Sequence, residues 1–516
     1  MRRAVIGMLA GLAACDAPLP GEPGDSSCSV TAPAPPARAP SSGRNRLLYT
    51  LAVDGLPQLW MLDLDAPAPA PVRIDATGTG PGPLFPGWER ELGAAWSPAG
   101  GLVAVRLASG AFGPAPLGVI DVNAPGTVRD VGLRSTSATG PFQRHDEVWS
   151  PDGARLVAAG PSGVPVLVAQ ADGSGVTDLA LDLADPSAPK WAPDGRHLGV
   201  SSGNQLYVTP ADVAAPQRAG GPISFWGTAG TQVLSSLLDG AWEVFEAELG
   251  TGDVVQVDVD FAGFPALEYM PVFSADGAWL MLPGAGPRIL GRGCSEPQAL
   301  APAIAGDPRA TADGRYIVFT GSSQSGRQGE SSAWVAELKH GAWEARHVFT
   351  PTAVPIPAVF QSTVARTRPR AAWRIGDYFG GDTFVVTDDH LVDPATFRAE
   401  GLRVEEFVSV QTYWFSGELE RFAYLTADDQ PVLRVIDLTD RHAPALLGEL
   451  SVAPGRVLTR AQWSSDGSAL AFAAVDAIAG TGVDVHVARI RNGVLEAPQL
   501  LGTTRNDPGS AFYWEP

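Results

Sequence analysis

Short apolar runs recur along the chain, and each is entered through the same polar turn. Leu156-Val157-Ala158-Ala159 and Leu470-Ala471-Phe472 are apolar at consecutive rather than alternate positions. That pattern predicts strands buried on both faces. The preceding turn reads Trp149-Ser150-Pro151-Asp152-Gly153, Trp191-Ala192-Pro193-Asp194-Gly195 and Trp463-Ser464-Ser465-Asp466-Gly467. Near copies are Trp96-Ser97-Pro98-Ala99-Gly100, Phe273-Ser274-Ala275-Asp276-Gly277 and Ala310-Thr311-Ala312-Asp313-Gly314, and weaker copies begin at Trp226, Trp373 and Trp414. Pro presets φ at the first corner, Asp bonds nearby amides, and Gly takes the left-handed position that returns the chain. The motif therefore predicts a tight hairpin turn, with its Trp, Asp and Gly residues structural rather than catalytic. A second hairpin follows at Ala171-Asp172-Gly173, so one unit is expected to be a four-stranded antiparallel sheet.

Several small sheets, each covered on both faces by its neighbours, describe an all-β propeller. The repeats resemble those of TolB-type, WD-like propellers, whose blades carry Trp-Ser-Pro-Asp-Gly ahead of an apolar strand. The resemblance spans most of residues 45–516 and implies a fold more than a function. Counting the closing unit gives ten candidates, so 8–10 blades are expected. Leu47-Leu48-Tyr49-Thr50 reads as the second strand of a unit whose first strand is missing, and Phe512-Tyr513-Trp514 as a first strand without a successor. Pairing them is expected to close the ring. A tether stands here where TolB carries an α/β domain, so the resemblance does not bring TolB's own role with it.

Residues 1–14 read as a secretion signal, with Arg2 and Arg3 ahead of an apolar stretch too short to span a bilayer. Leu12-Ala13-Ala14-Cys15 resembles the lipobox of bacterial lipoproteins. The resemblance implies cleavage before Cys15 and lipid on its thiol, hence a cell-envelope protein anchored to a membrane. Asp16 is similar to an inner-membrane retention signal of enteric bacteria, a rule that does not transfer between lineages, so either membrane stays open. Residues 15–44 form a tether with seven prolines (Pro18, Pro20, Pro23, Pro33, Pro35, Pro36, Pro40). At about 3.1 Å per residue it reaches roughly 90 Å. Cys28 in the tether and Cys294 in the ring either form a disulfide or remain two thiols.

Charge narrows the function classes. Thirty-six Lys and Arg face 56 Asp and Glu, a net charge of −20. Phosphate contacts need clustered positive charge, so a nucleic-acid partner is not expected. Only Lys190 and Lys339 are lysines. No Gly-x-Ser-x-Gly elbow, phosphate loop or dinucleotide fingerprint is present. The seven histidines are scattered (His145, His197, His340, His347, His390, His442, His486), and no metal or cofactor is expected. Asp388-Asp389-His390 is the densest ionisable knot, a polar hairpin tip or else a cation or acid–base site. Glu405-Glu406 is a weaker version. The tryptophans suit a sugar-binding face or, for the repeat members, the core. The expected function is a non-catalytic binding module for an envelope protein or a peptidoglycan-associated partner. The alternative is a propeller hydrolase or lyase acting on envelope glycans or other polymers, which needs unpaired acids or histidines converging away from the turns.

Overall fold

The computed structural model describes residues 44–53, 56–76, 94–107, 115–135, 148–159, 166–183, 186–192, 195–202, 205–220, 223–226, 232–236, 242–248, 253–257, 272–274, 279–282, 284–285, 287–291, 297–300, 304–311, 313–322, 332–339, 342–349, 358–376, 383–398, 413–426, 431–476, 482–504 and 512–515. Cys15, Cys28, Cys294, Pro193, Asp194, Asp276, Gly277, Glu405 and Glu406 fall outside them.

Among the described residues the strands pair into ten antiparallel sheets that follow one another along the chain. Sheet 1 contains Arg46–Val53, Leu56–Asp63 and Pro71–Arg73, and takes the C-terminal strand Phe512–Trp514 as its first strand. Sheet 2 runs from Ala94–Trp96 to Val128–Ser135, sheet 3 from Arg155–Ala159 to Val176–Leu179, and sheet 4 from Pro186–Trp191 to Gln217–Gly220. Sheet 5 runs from Ile223–Trp226 to Asp253–Val257, sheet 6 from Val272–Phe273 to Gln298–Ala299, and sheet 7 from Ile304–Ala310 to Ala342–Phe349. Sheet 8 runs from Ala358–Val364 to Pro394–Arg398, sheet 9 from Tyr413–Phe415 to Ala445–Leu450, and sheet 10 from Arg456–Trp463 to Gln499–Thr504. The count lies within the expected 8–10. Sheet 3 has three strands because its first strand is reduced to the bridge between Trp149 and Leu156.

The consecutive apolar positions have a simple cause. Val103 and Val105 pack toward sheet 1 with Leu48 and Met61, while Ala104 between them packs toward sheet 3 with Trp149 and Leu156. The same alternation gives Phe319 to the sheet 6 side and Val318 to the sheet 8 side. Every described cluster straddles two successive sheets, and the last joins Ala471 and Val485 of sheet 10 to Leu47 and Phe512 of sheet 1. Fully burying such a side chain contributes roughly 1.5–3 kcal/mol. The fourth strands Val176–Leu179, Ala445–Leu450 and Gln499–Thr504 are largely exposed and form the rim.

The ring closes as the chain ends predict. Leu47, Leu48 and Tyr49 register with Trp514, Tyr513 and Phe512. Polar contacts lock this join, leaving no free inner edge there. Glu515 accepts from the Gly101 amide at 2.8 Å in sheet 2, and Asn45 Nδ2 donates to Asp466 at 2.9 Å in sheet 10.

Two weak repeats are placed differently from the sequence expectation. In sheets 2, 3, 4, 6, 7 and 10 the residue after the motif's first position donates its amide five residues ahead, as Ser150 does to the Arg155 carbonyl and Ser464 to that of Ala469. The same bond runs from Ala365 to Arg370 and from Ser416 to Arg421. The aromatic position is therefore Val364 in sheet 8 and Phe415 in sheet 9. Trp373 lies on the second strand of sheet 8, and Trp414 sits one position ahead of Phe415. Tryptophan was a misleading marker there, because its large apolar surface suits either strand of a buried sheet.

Candidate functional site

The motif residues are committed to one another. Ser150 Oγ donates to Asp152 at 2.5 Å and accepts from the Arg155 amide at 2.9 Å, while Asp152 accepts from the Ala154 amide at 3.0 Å. The turn at Ser464-Ser465-Asp466-Gly467 repeats this, with Ser464 donating to Asp466 at 2.7 Å and Asp466 accepting from Ser468 at 2.8 Å. Thr311 and Asp313 do the same at 2.6 Å ahead of Gly314. Gly153 has φ +70° and lies against Ser97 and Ala99 of the preceding turn, so both conformation and space exclude a side chain. Gly195 and Gly467 hold the same left-handed conformation. At Asp466 burial raises the carboxyl's pKa, but bonds from Ser468, Ser464 and Asn45 outweigh it and hold it below the ordinary carboxylate value.

The motif tryptophans staple successive sheets. Trp149 Nε1 donates to the Ala95 carbonyl at 3.0 Å, and Trp191 Nε1 to that of Val148 at 3.2 Å. Trp463 reaches Trp414 at 3.1 Å, Trp514 reaches Gln462 at 2.8 Å, and Trp96 reaches Tyr513 at 3.3 Å. Each acceptor precedes the motif aromatic of the sheet before, so one bond recurs across every seam from sheet 9 through sheet 10 and sheet 1 to sheet 4. Arg155 adds to the seam between sheets 3 and 4, its guanidinium lying 4.9 Å from the Trp191 ring centroid and bonding the Gly195 carbonyl.

Val364 and Phe415 carry no side-chain N–H, so with Phe415 at the donor position this indole bond cannot form between sheets 8 and 9. A cavity of about 250 Å³ opens beside this seam and reaches sheet 10, lined by Thr363, Val364, Arg366, Trp414, Phe415, Gln462 and Trp463 among others. Its two polar features are unusual. Gln462 Oε1 is buried with no hydrogen-bond partner among the described residues. Arg366 is exposed, and among the described residues its guanidinium has no carboxylate partner. Its stem lies across Gly417, where a Cβ would meet Arg366 Cδ at 2.9 Å. The neighbouring arginines are all engaged: Arg368 donates to Glu420 at 2.9 Å, Arg370 to Asp389 at 3.0 Å, and Arg421 to Asp437 at 3.0 Å. The Ser416 hydroxyl is also taken, accepting from the Glu420 amide at 3.2 Å and the Arg421 amide at 3.0 Å.

The ionisable knot at Asp388-Asp389-His390 is a hairpin tip. Burial raises the Asp388 carboxyl's pKa, yet the amides of Val392, Asp393 and His390 and the charge of Arg441 hold it below its ordinary value. Asp389 pairs with Arg370. His442 lies 2.9 Å from Asp393, whose carboxyl is lowered by His442 and Arg441 together. His486 is stacked on Phe472 at 5.0 Å, and burial lowers its pKa against the pull of Asp484. Among the described residues no three His, Cys, Asp or Glu side chains are grouped to hold a metal. Arg366, Gln462 and Gly417 were not singled out from sequence. Their signal was the break in the repeat, where Arg366-Thr367-Arg368-Pro369-Arg370 replaces Pro-Asp-Gly.

The ring of four-stranded antiparallel sheets defines the class, a β-propeller. No family model and no curated protein matches the chain. Solved structures similar to it include the dihydro-heme d1 dehydrogenase NirN in complex with DHE, 16% identical over 86% of this chain and 79% of that one, with a TM-score of 0.35. AztD of Citrobacter koseri is 10% identical over 90% and 96% of the two chains, with a TM-score of 0.33. The C-terminal WD40 domain of Sif2 is 11% identical over 63% and 93%, with a TM-score of 0.33.

Proposed function

We propose that the protein is a lipid-anchored β-propeller of the cell envelope, of TolB-like type, in which each of the ten sheets is one blade and the ring acts as a binding module without catalysis. The observation that carries this reading is the chemistry of the cavity wall. It offers aromatic faces and, among the described residues, an amide oxygen with no donor and a guanidinium with no carboxylate, groups suited to holding a ligand. Its lining residues include no carboxylate, imidazole or thiol, and its serine hydroxyl is engaged by backbone amides. Elsewhere the described acids of the repeat, Asp152, Asp313 and Asp466, are taken up by their own turns. Leu12-Ala13-Ala14-Cys15 and the proline-rich stretch after it support the anchor and a long reach from the membrane. The partner in this reading is an envelope protein or a peptidoglycan-associated molecule, and the net charge of −20 favours a basic surface on it.

Fractionation and capture test it. The full-length protein is expected in the membrane fraction and released by detergent, with Cys15→Ser moving to the soluble fraction. Affinity capture from cross-linked envelopes, read by mass spectrometry, is expected to return one dominant partner. A soluble wild-type protein refutes the anchor. Recovery of nothing above a control propeller refutes the partner.

A further inference from the structure

We propose that the cavity between sheets 8, 9 and 10 binds a small apolar carboxylate with an adjacent N–H donor, the chemistry shared by an N-acylated amino acid and a protein's C-terminal residue. The proposal rests on the reading of the ring as a binding module and names its site and ligand class.

Three requirements of the cavity converge on that chemistry. The Arg366 guanidinium presents a planar fork of donors, and it alone of the arginines in the 366–370 turn lacks a carboxylate partner among the described residues. A carboxylate matches that fork with two parallel bonds. Gln462 Oε1 is a buried acceptor to which no described residue donates, which calls for an N–H or O–H from the occupant. Trp414, Phe415, Val364 and Leu419 supply apolar wall, which calls for an aliphatic or aromatic side chain. A residue with its carboxylate on Arg366, its side chain on Trp414 and Phe415, and its amide N–H on Gln462 answers all three. About 250 Å³ leaves room for a small ligand, below the range of drug-sized pockets. The site also has a structural origin. Phe415 stands where other units place a stapling tryptophan, and Gly417 lets the Arg366 stem lie flat across the turn.

Calorimetry on the detergent-solubilised full-length protein tests the proposal, with N-acetyl-L-phenylalanine, its primary amide, and a hexapeptide ending in phenylalanine with a free or amidated C-terminus. Saturable binding of the free acids is expected, weakened about 10- to 100-fold by amidation and equally by Arg366→Gln, the range expected for a charge-assisted bond. Gln462→Leu and Gly417→Ala are expected to weaken it as well, with thermal melts confirming that each variant is folded. A hexapeptide that binds more than about 10-fold tighter than the free acid identifies a protein C-terminus as the source, and equal affinities identify the small acid. No saturable binding of any free carboxylate overturns the proposal, as does binding that Arg366→Gln leaves unchanged. Envelope capture that persists without carboxylate binding overturns this site while leaving the binding-module reading standing.

Discussion

The indole staple makes a measurable demand on stability, and Trp149→Phe isolates it. Trp149 is fully buried, and its Nε1 donates to the Ala95 carbonyl at 3.0 Å in a seam where Ala95 is 2% exposed. Phenylalanine keeps a ring in place but removes the donor and two ring carbons. The Ala95 carbonyl keeps its ladder partner, the Ala104 amide, so only the indole bond is lost, about 0.5–1.5 kcal/mol. Two lost carbons at about 0.8 kcal/mol each add roughly 1.5 kcal/mol. The expected loss is about 2.5 kcal/mol. Trp60→Phe is the matched control, because the Trp60 indole N–H is buried with no partner among the described residues. There the same deletion removes an unsatisfied donor and is expected to cost about 1.5 kcal/mol at most. Both are read as shifts of the urea midpoint by far-UV circular dichroism at unchanged slope, since a changed slope would signal lost cooperativity rather than lost stability. If Trp60→Phe costs as much as Trp149→Phe, the bond across the seam contributes nothing beyond ring volume and the staple is refuted.

Phe415→Trp is expected to be tolerated, with a midpoint within about 1 kcal/mol of wild type, because the cavity beside it admits the larger ring, where overpacking a filled core costs about 1–3 kcal/mol; the same variant should abolish carboxylate binding in calorimetry. Gly455→Ala, at φ +81° with nothing within 4 Å, should lose about 1–2 kcal/mol for backbone strain alone. Gly153→Ala, at φ +70° and 3.0 Å from the Ala99 Cβ, should lose at least about 1 kcal/mol more in the same denaturation assay. The Asp466 carboxyl titrates lower in the folded state than its unfolded value of about 3.9, so its contribution is present above that pH and is lost as pH falls through the folded value. Urea midpoints of wild type and Asp466→Asn should therefore differ at pH 6 and converge below about pH 4, and parallel curves would show that the carboxylate contributes no such linkage.

Much of the ring was legible in the sequence because its units repeat a local solution. The Ser-Asp-Gly turn bonds within itself, so Ser150 with Asp152 and Ser464 with Asp466 could be read from five residues. The consecutive apolar runs could be read too, since Val103, Ala104 and Val105 each face a neighbouring sheet. The staple was hidden, because the Ala95 carbonyl that receives the Trp149 indole belongs to a different unit. The register of sheet 8 was hidden for another reason. Its turn lacks both aromatic and Asp-Gly, and the eye settles on Trp373 instead of Val364. The cavity depends on that register, so Arg366 and Gln462 could not be brought together from sequence.

The ring is held together in two ways, and the difference explains where the cavity falls. From sheet 10 through sheet 4 the staples sit on the first strands, where Trp463, Trp514, Trp96, Trp149 and Trp191 fill the motif position. In sheets 6 to 9 that position is held by Phe273, Ala310, Val364 and Phe415, none of which can donate. There the indoles have moved to second strands: Trp279 bonds the Gly314 carbonyl at 2.9 Å and Trp373 bonds that of Phe319 at 3.3 Å. A seam needs a cross-sheet bond and a filled core, but it does not need them on the first strand. Once Trp373 and the aromatic cluster around Phe384 and Phe422 secure this arc, the first-strand position carries less structural demand. Small residues at that position then open space, and the turn beyond it is released from Pro-Asp-Gly to carry Arg366. A repeat that specifies its own turns so fully can change chemistry only where other contacts hold the seam, and between sheets 8 and 9 the aromatic cluster and the bond from the Arg366 amide to the Gly417 carbonyl at 2.8 Å do so.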